Sequence, residues 1–145
     1  MPKLILTIGI SGSGKTEWAE DYISHNPNTI DIGRDIFRYD GSCCRSETEV
    51  SLKQSLAFLN AIKSHDNIIV TDTNLSATTR YKWYLRAVEH GLSIEYVVFN
   101  THVEQVFNDM HAVMELPDHV LHKQYPKFKE FLKETPKTTV TYSFV

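Results

Sequence analysis

Short apolar runs alternate with longer amphipathic stretches along this chain. Lys3-Leu4-Ile5-Leu6-Thr7-Ile8 is apolar without strict alternation, as expected of a strand buried on both faces. Thr16–His25 has helical composition, and Asn26-Pro27-Asn28 stops it. Thr29–Ile32 reads as a second strand, and Gly33 opens a polar loop holding Arg34, Asp35 and Arg38. Asp40-Gly41-Ser42 reads as a turn. Glu47–Ser64 carries Val50, Leu52, Leu56, Leu59 and Ile62 at roughly helical spacing. Ile68-Ile69-Val70-Thr71 is a third buried strand, ending at Asp72. Ser76 is placed to cap a helix through His90, with Gly91 as its stop. Ile94–Phe99 is a fourth strand, two helical stretches follow near Val103–Val113 and Asp118–Lys133, and Thr138–Val145 is a closing strand. This order predicts an α/β fold, a parallel sheet with helices on both faces. With no internal repeat and no linker, residues 1–145 are expected to form one domain.

Composition narrows the class. A chain of 145 residues with 41% hydrophobic and 23% charged residues can bury a core without staples. No apolar run is long enough to span a membrane, and Met1–Gly9 turns polar too soon for a secretory signal, so a cytoplasmic location without membrane partners is expected. Cys43 and Cys44 are adjacent and read as free thiols. A net charge of −3 argues against a broad coat on nucleic acid, while a short nucleic-acid end in a local basic pocket stays compatible. No obligate protein partner is evident.

The strongest chemical signal is Gly9-Ile10-Ser11-Gly12-Ser13-Gly14-Lys15-Thr16, which matches GxxxxGK[ST] between a strand and a helix. Gly9, Gly12 and Gly14, with Ser11 and Ser13, let the backbone turn tightly so that several N–H groups face phosphate oxygens. The helix N-terminus adds partial positive charge. Lys15 is placed to reach the β- and γ-phosphates, and the Thr16 hydroxyl to bind Mg²⁺. The expected ligands are ATP or another nucleoside triphosphate and Mg²⁺.

Asp72 closes a buried strand at the sheet edge where α/β proteins bind ligands, so it is a candidate metal group. Thr73 and Asn74 are candidates for substrate contact or for plain turn formation. Asp35 is a candidate general base, and Arg38, three residues on, a candidate clamp for an acceptor phosphate. Spacing alone leaves a solvated Asp–Arg pair equally open. Tyr81, Trp83 and Tyr84 fit packing better than base stacking, and Trp18 reads as structural. Lys123, Lys127, Lys129, Lys133 and Lys137 make the C-terminal third locally basic, most simply as a solvated face.

Three segments together resemble the kinase domain of the phage polynucleotide 5′-kinase family: LILTIGISGSGKTEWA at Leu4–Ala19, DIGRDIFR at Asp31–Arg38 and VTDTNLSATTRYKW at Val70–Trp83. The likeness covers roughly the first two thirds of the chain and fades after Asn100. It implies a P-loop kinase-type parallel sheet with a helical lid and a 5′ end of DNA or RNA as the acceptor. By that resemblance Lys15 and Thr16 bind the donor phosphates and Mg²⁺, and Asp35 activates the 5′-hydroxyl. Arg38, with Arg34 beside it, meets the acceptor, and Asp72 supports the metal. The family's lid arginine is missing: Asn108–Met114 contains no arginine or lysine, leaving His111, Arg80 or Arg45 as replacements. The phosphatase motif DxDGT is absent too, so 3′-phosphate removal is not expected.

The leading expectation is therefore a polynucleotide 5′-hydroxyl kinase acting in nucleic-acid repair, in the host cytoplasm if phage-encoded. A kinase for a nucleoside, nucleotide, modified DNA base or other small molecule would use the same loop and carboxylates. A non-catalytic nucleotide-binding protein is the third alternative.

Overall fold

The computed structural model describes residues 2–38, 45–99, 118–134 and 140–145. Its sheet has five parallel strands: β1 (Lys3–Ile8), β2 (Thr29–Asp31), β3 (Asn67–Val70), β4 (Ser93–Val98) and β5 (Thr141–Phe144). Their order is β2-β3-β1-β4-β5, so β1 is central. It pairs with β3 through Leu4 and Ile68 and with β4 through Leu4 and Ile94. The helices are α1 (Lys15–His25), α2 (Glu47–Ser64), α3 (Ala77–Glu89) and α4 (Asp118–Lys133), with a 3₁₀ turn at Arg34–Phe37.

The apolar run of β1 is explained by its two covered faces. Successive side chains of a strand point to opposite sides. Leu4, Leu6 and Ile8 join the larger cluster, built with Phe58 of α2, Trp83 of α3, and Phe128 and Phe131 of α4. Ile5 turns to the other face and packs with Ile69, Val97 and Phe99 against Ala19, Trp18 and Tyr22. Trp18 is structural as expected, stacked on Tyr22 with ring centroids 5.2 Å apart. Trp83 is likewise buried in the core, but Tyr81 is 52% exposed and does not pack there.

The helix signals operate at particular atoms. Ser46 begins α2, its hydroxyl accepting the Glu49 N–H at 3.2 Å, as an N-cap side chain should. Ser76 occupies the cap position of α3 but makes no such side-chain bond; its carbonyl accepts from Arg80 N instead. Gly91 follows α3 at φ +69, the left-handed stop. The lysines at 123, 127, 129 and 133 are exposed, a solvated face of α4. The expected helix at Val103–Val113, the lid stretch with His111, Cys43, Cys44 and Lys137 lie outside the described residues. No helix among the described residues is long and apolar enough to cross a membrane.

This topology puts three connections at one edge of the sheet. The glycine loop follows β1, the 3₁₀ turn follows β2, and Asp72 follows β3, all at carboxyl ends of parallel strands. In an open α/β sheet that edge, where strand order changes direction, is where ligands bind.

Candidate active site

Residues 9–14 form the loop between β1 and α1, and Lys15 and Thr16 open the helix. Gly14 sits at φ +97, a conformation L side chains rarely adopt, so the glycine there is required by the turn. Lys15 is buried, and its ammonium folds back on the loop, donating to the Ile10 carbonyl at 2.6 Å and to the Gly9 carbonyl at 3.2 Å. Burial lowers its pKa from 10.5 to about 8, partly offset by the negative charges of Asp72 and Asp35. A buried cation held only by neutral oxygens, two carbonyls and the Ser13 hydroxyl, gains from the arrival of an anion. Thr16, in the first turn of α1, is exposed, and its hydroxyl makes no hydrogen bond among the described residues.

Asp72 is fixed from two sides. One carboxylate oxygen accepts the Arg34 backbone N–H at 2.7 Å, and the other accepts Gln54 Nε2 at 2.9 Å. Burial raises its pKa from the ordinary carboxylate value, against these two hydrogen bonds. Gln54 is itself buried and also donates to the Ile32 carbonyl at 3.0 Å. It thus ties α2 to the ends of β2 and β3. Nothing in the sequence distinguishes Gln54 from the polar residues around it on α2, because its partners come from two other elements. Gln54→Leu is expected to cost about 1–3 kcal/mol by leaving a carbonyl and a buried carboxylate oxygen without their donor. A denaturant midpoint unchanged from wild type would contradict that.

The sequence leaves Asn74 open to substrate contact or plain turn formation, and its side chain is buried under the turn. Its amide donates to the carbonyls of Thr7 at 2.8 Å and Val70 at 3.1 Å, with φ 47, a left-handed conformation asparagine tolerates. Thr7 Oγ1 in turn donates to the Asp72 carbonyl at 2.9 Å. The pair clips the turn carrying Asp72 onto the end of β1. Thr73, by contrast, does line the cleft.

Gly33 brings the next connection close. A Cβ there would collide with Thr71 Oγ1 and lie 3.2 Å from Asp31 Oδ1. That hydroxyl is held by Asp31, whose Oδ1 also accepts the Gly33 N–H at 2.9 Å. Gly33→Ala must push these apart and is expected to lower stability by about 1–3 kcal/mol. Thermal unfolding at the wild-type temperature would contradict it.

The 3₁₀ turn then presents Asp35 and Arg38. Asp35 is 86% exposed and paired with Arg38 Nη1, while Arg38 Nε reaches Glu47 at 3.3 Å. Glu47 also takes Arg34, whose Nη1 donates to Ser51 Oγ at 2.9 Å. The two arginines hold the Glu47 carboxyl below its usual range. Nothing in the sequence singles out Glu47. It sits in the first turn of α2, where an acid is ordinary for helix reasons alone.

These groups surround one cleft of about 510 Å³. The loop supplies Ser11, Gly12, Gly14, Lys15 and Thr16; the opposite wall is Arg34, Asp35 and Arg38, and Thr71–Thr73 form the floor. Ser13 and Gly9 stand behind, Ser13 Oγ lying 3.4 Å from Lys15 Nζ. Gln124 of α4 closes one side, accepting the Ser11 N–H at 2.8 Å and donating to Ser11 Oγ at 2.9 Å. It lies more than a hundred residues from its partner, which no local pattern signals.

Neither arginine proposed as a lid substitute is placed at this cleft. Arg80 is buried, donating to the carbonyls of Asn74 and Leu75 and to Glu134 at 2.6 Å. Arg45 donates to the Phe37 carbonyl at 2.8 Å.

A GxxxxGK[ST] loop on the central strand of a parallel sheet, facing a carboxylate at the end of the adjacent strand, defines a P-loop nucleotide-binding protein of the kinase fold. Residues 4–112 match the family described as the AAA domain, and the chain belongs to it. Among solved structures it is similar to a chain of the Pnkp1/Rnl/Hen1 RNA repair complex (22% identity, TM-score 0.78, covering 93% of this chain and 46% of that one). It is also similar to a gluconokinase from Sinorhizobium meliloti (17% identity, TM-score 0.63, covering 99% and 83%). A third match is a fungal RNA kinase (13% identity, TM-score 0.60, covering 100% and 75%). The chain spans less than half the length of the repair-complex chain. At these identities the likeness establishes the fold, which the RNA kinase and the gluconokinase share, and not the phage branch of it.

Proposed function

We propose that this protein is a polynucleotide 5′-hydroxyl kinase that transfers the γ-phosphoryl group of ATP to the 5′ end of DNA or RNA. The observation that carries the reading is the pairing of Asp35 and Arg38 on one turn, across a single cleft from Lys15 and Thr16. A donor loop alone would serve any nucleotide-binding protein. A carboxylate and an arginine opposite it supply what an alcohol acceptor beside a phosphate needs.

In this reading the loop amides and Lys15 hold the triphosphate, with the α1 N-terminus behind them. Asp35 accepts the proton of the 5′-hydroxyl as its oxygen attacks the γ-phosphorus in line. The bond from that phosphorus to the β–γ bridging oxygen breaks, and ADP leaves. Arg38 turns from Asp35 and Glu47 to the phosphate next to the attacking sugar, freeing the Asp35 carboxylate as it does so.

Mg²⁺ fits the donor set. The Thr16 hydroxyl makes no hydrogen bond among the described residues, and each Asp72 carboxylate oxygen accepts one from them, leaving lone pairs for an ion or its water. When bound, the ion would neutralise phosphate charge. Similarity to a chain of an RNA repair complex and to an RNA kinase supports a nucleic-acid acceptor and a role in repairing ends.

The test is incubation with γ-labelled ATP and two acceptors together, a 5′-hydroxyl oligonucleotide and free nucleosides. Label at the oligonucleotide 5′ end is expected. Label on nucleosides alone would assign the cleft to a small-molecule kinase, and ATP binding without transfer would make it a nucleotide-binding module.

A further inference from the structure

A second cleft of about 240 Å³ lies between α2 and α3, directly behind the wall of the first. The two share Arg34 and Asp72, so they are neighbours across that pair. The lining of the second is unlike the rest of this acidic protein. It gathers three cationic residues, Arg34, Lys82 and Arg86, of which Arg34 is already paired with Glu47; the one carboxylate in the lining, Asp72, already holds Arg34 N and Gln54.

Neither Lys82 nor Arg86 meets a carboxylate within ion-pair distance among the described residues. Arg86 is half-buried, stacked 4.6 Å above the Trp83 ring and tied to Ser55 Oγ at 3.1 Å. Burial lowers its pKa, the mark of a cation that has lost water and gained no counter-charge. Stacking and the serine bond fix the plane of the guanidinium while leaving other N–H groups to donate. The hydroxyls of Ser51 and Thr79 add neutral donors. A fixed guanidinium, an exposed ammonium and hydroxyls are the donors that suit a phosphodiester.

We infer that the α2–α3 cleft is an acceptor-strand site, in which Arg86 and Lys82 bind a backbone phosphate of a polynucleotide beyond the one Arg38 meets. The inference rests on the kinase reading and deepens it. A polynucleotide acceptor has further phosphates to place there, and a nucleoside or sugar has none. It also explains how a chain of net charge −3 holds a polyanion, by concentrating cations in one cleft.

The experiment compares kcat/KM for a 5′-hydroxyl dinucleotide and a 5′-hydroxyl octanucleotide of the same 5′ sequence. Lys82→Glu and Arg86→Gln are each expected to lower the octanucleotide-to-dinucleotide ratio about tenfold, the scale of one charge-assisted phosphate contact. The loss should sit in KM and shrink as salt is raised. Arg86→Lys should recover part of the ratio. Lys82 is exposed, so its variant reports on the cleft even if Arg86→Gln weakens the fold through the lost ring contact. A ratio unchanged in Lys82→Glu, whether both acceptors keep their rates or both lose alike, overturns the strand site and leaves the kinase reading standing. Wild-type protein that phosphorylates neither acceptor overturns both.

Discussion

Asp35→Asn is expected to lower kcat for 5′-hydroxyl transfer by about 10²–10⁴-fold while ATP still binds. Asparagine keeps the size of the side chain and removes its basicity. Asp35 is exposed, and its one ion-pair partner among the described residues is Arg38, so the fold depends little on it. The loss therefore reads proton acceptance and not collapse. Single-turnover kinetics with saturating ATP isolates the step, and a parallel nucleotide titration shows that the donor half is intact. Transfer at the wild-type rate would remove Asp35 from the chemistry. A fall in ATP affinity equal to the fall in rate would make it a donor-site residue.

Lys15→Ala is expected to reduce transfer by about 10²–10³-fold or more, with weaker nucleotide binding as well. The ammonium lies under the loop, 2.6 Å from the Ile10 carbonyl, in the position from which a triphosphate would draw it outward. Its removal takes away the positive charge that, in the proposed reaction, moves to the transferred group, and leaves loop carbonyls without a donor. Lys15→Arg is not a conservative rescue, because a planar fork does not fit a space shaped for a point charge. Measuring kcat and KM for ATP separately checks this. Lys15→Ala with wild-type kcat would contradict it.

What was legible in the sequence was what local pattern controls. The β1 run and GxxxxGK[ST] give the central strand, the loop and the start of α1, because backbone geometry there depends on glycines within a few residues. The place of Asp72 in the cleft is legible because a carboxylate ending an apolar run is a positional signal. The two roles open to Asn74 are not separable locally for a related reason: the segment announces an important turn, but whether a turn asparagine faces solvent or clips the backbone depends on Thr7, which lies on another strand. Gln54, Glu47 and Gln124 were invisible. Each gets its role from partners on other elements, and each would serve equally as an ordinary polar helix residue. Arg80 illustrates the converse, a charge offered as a catalytic replacement that the fold spends on carbonyls and Glu134 inside the core.

A crystal structure of the wild-type protein with a non-hydrolysable ATP analogue, Mg²⁺ and a 5′-hydroxyl dinucleotide bears most directly on the claim that one cleft joins donor and acceptor. The γ-phosphate should sit on the loop amides beside Lys15. The terminal hydroxyl should lie about 2.6–3.2 Å from an Asp35 oxygen and in line with the bond to be broken. An analogue bound away from residues 9–16, or a hydroxyl out of reach of Asp35 with that carboxylate still turned onto Arg38, would contradict the account.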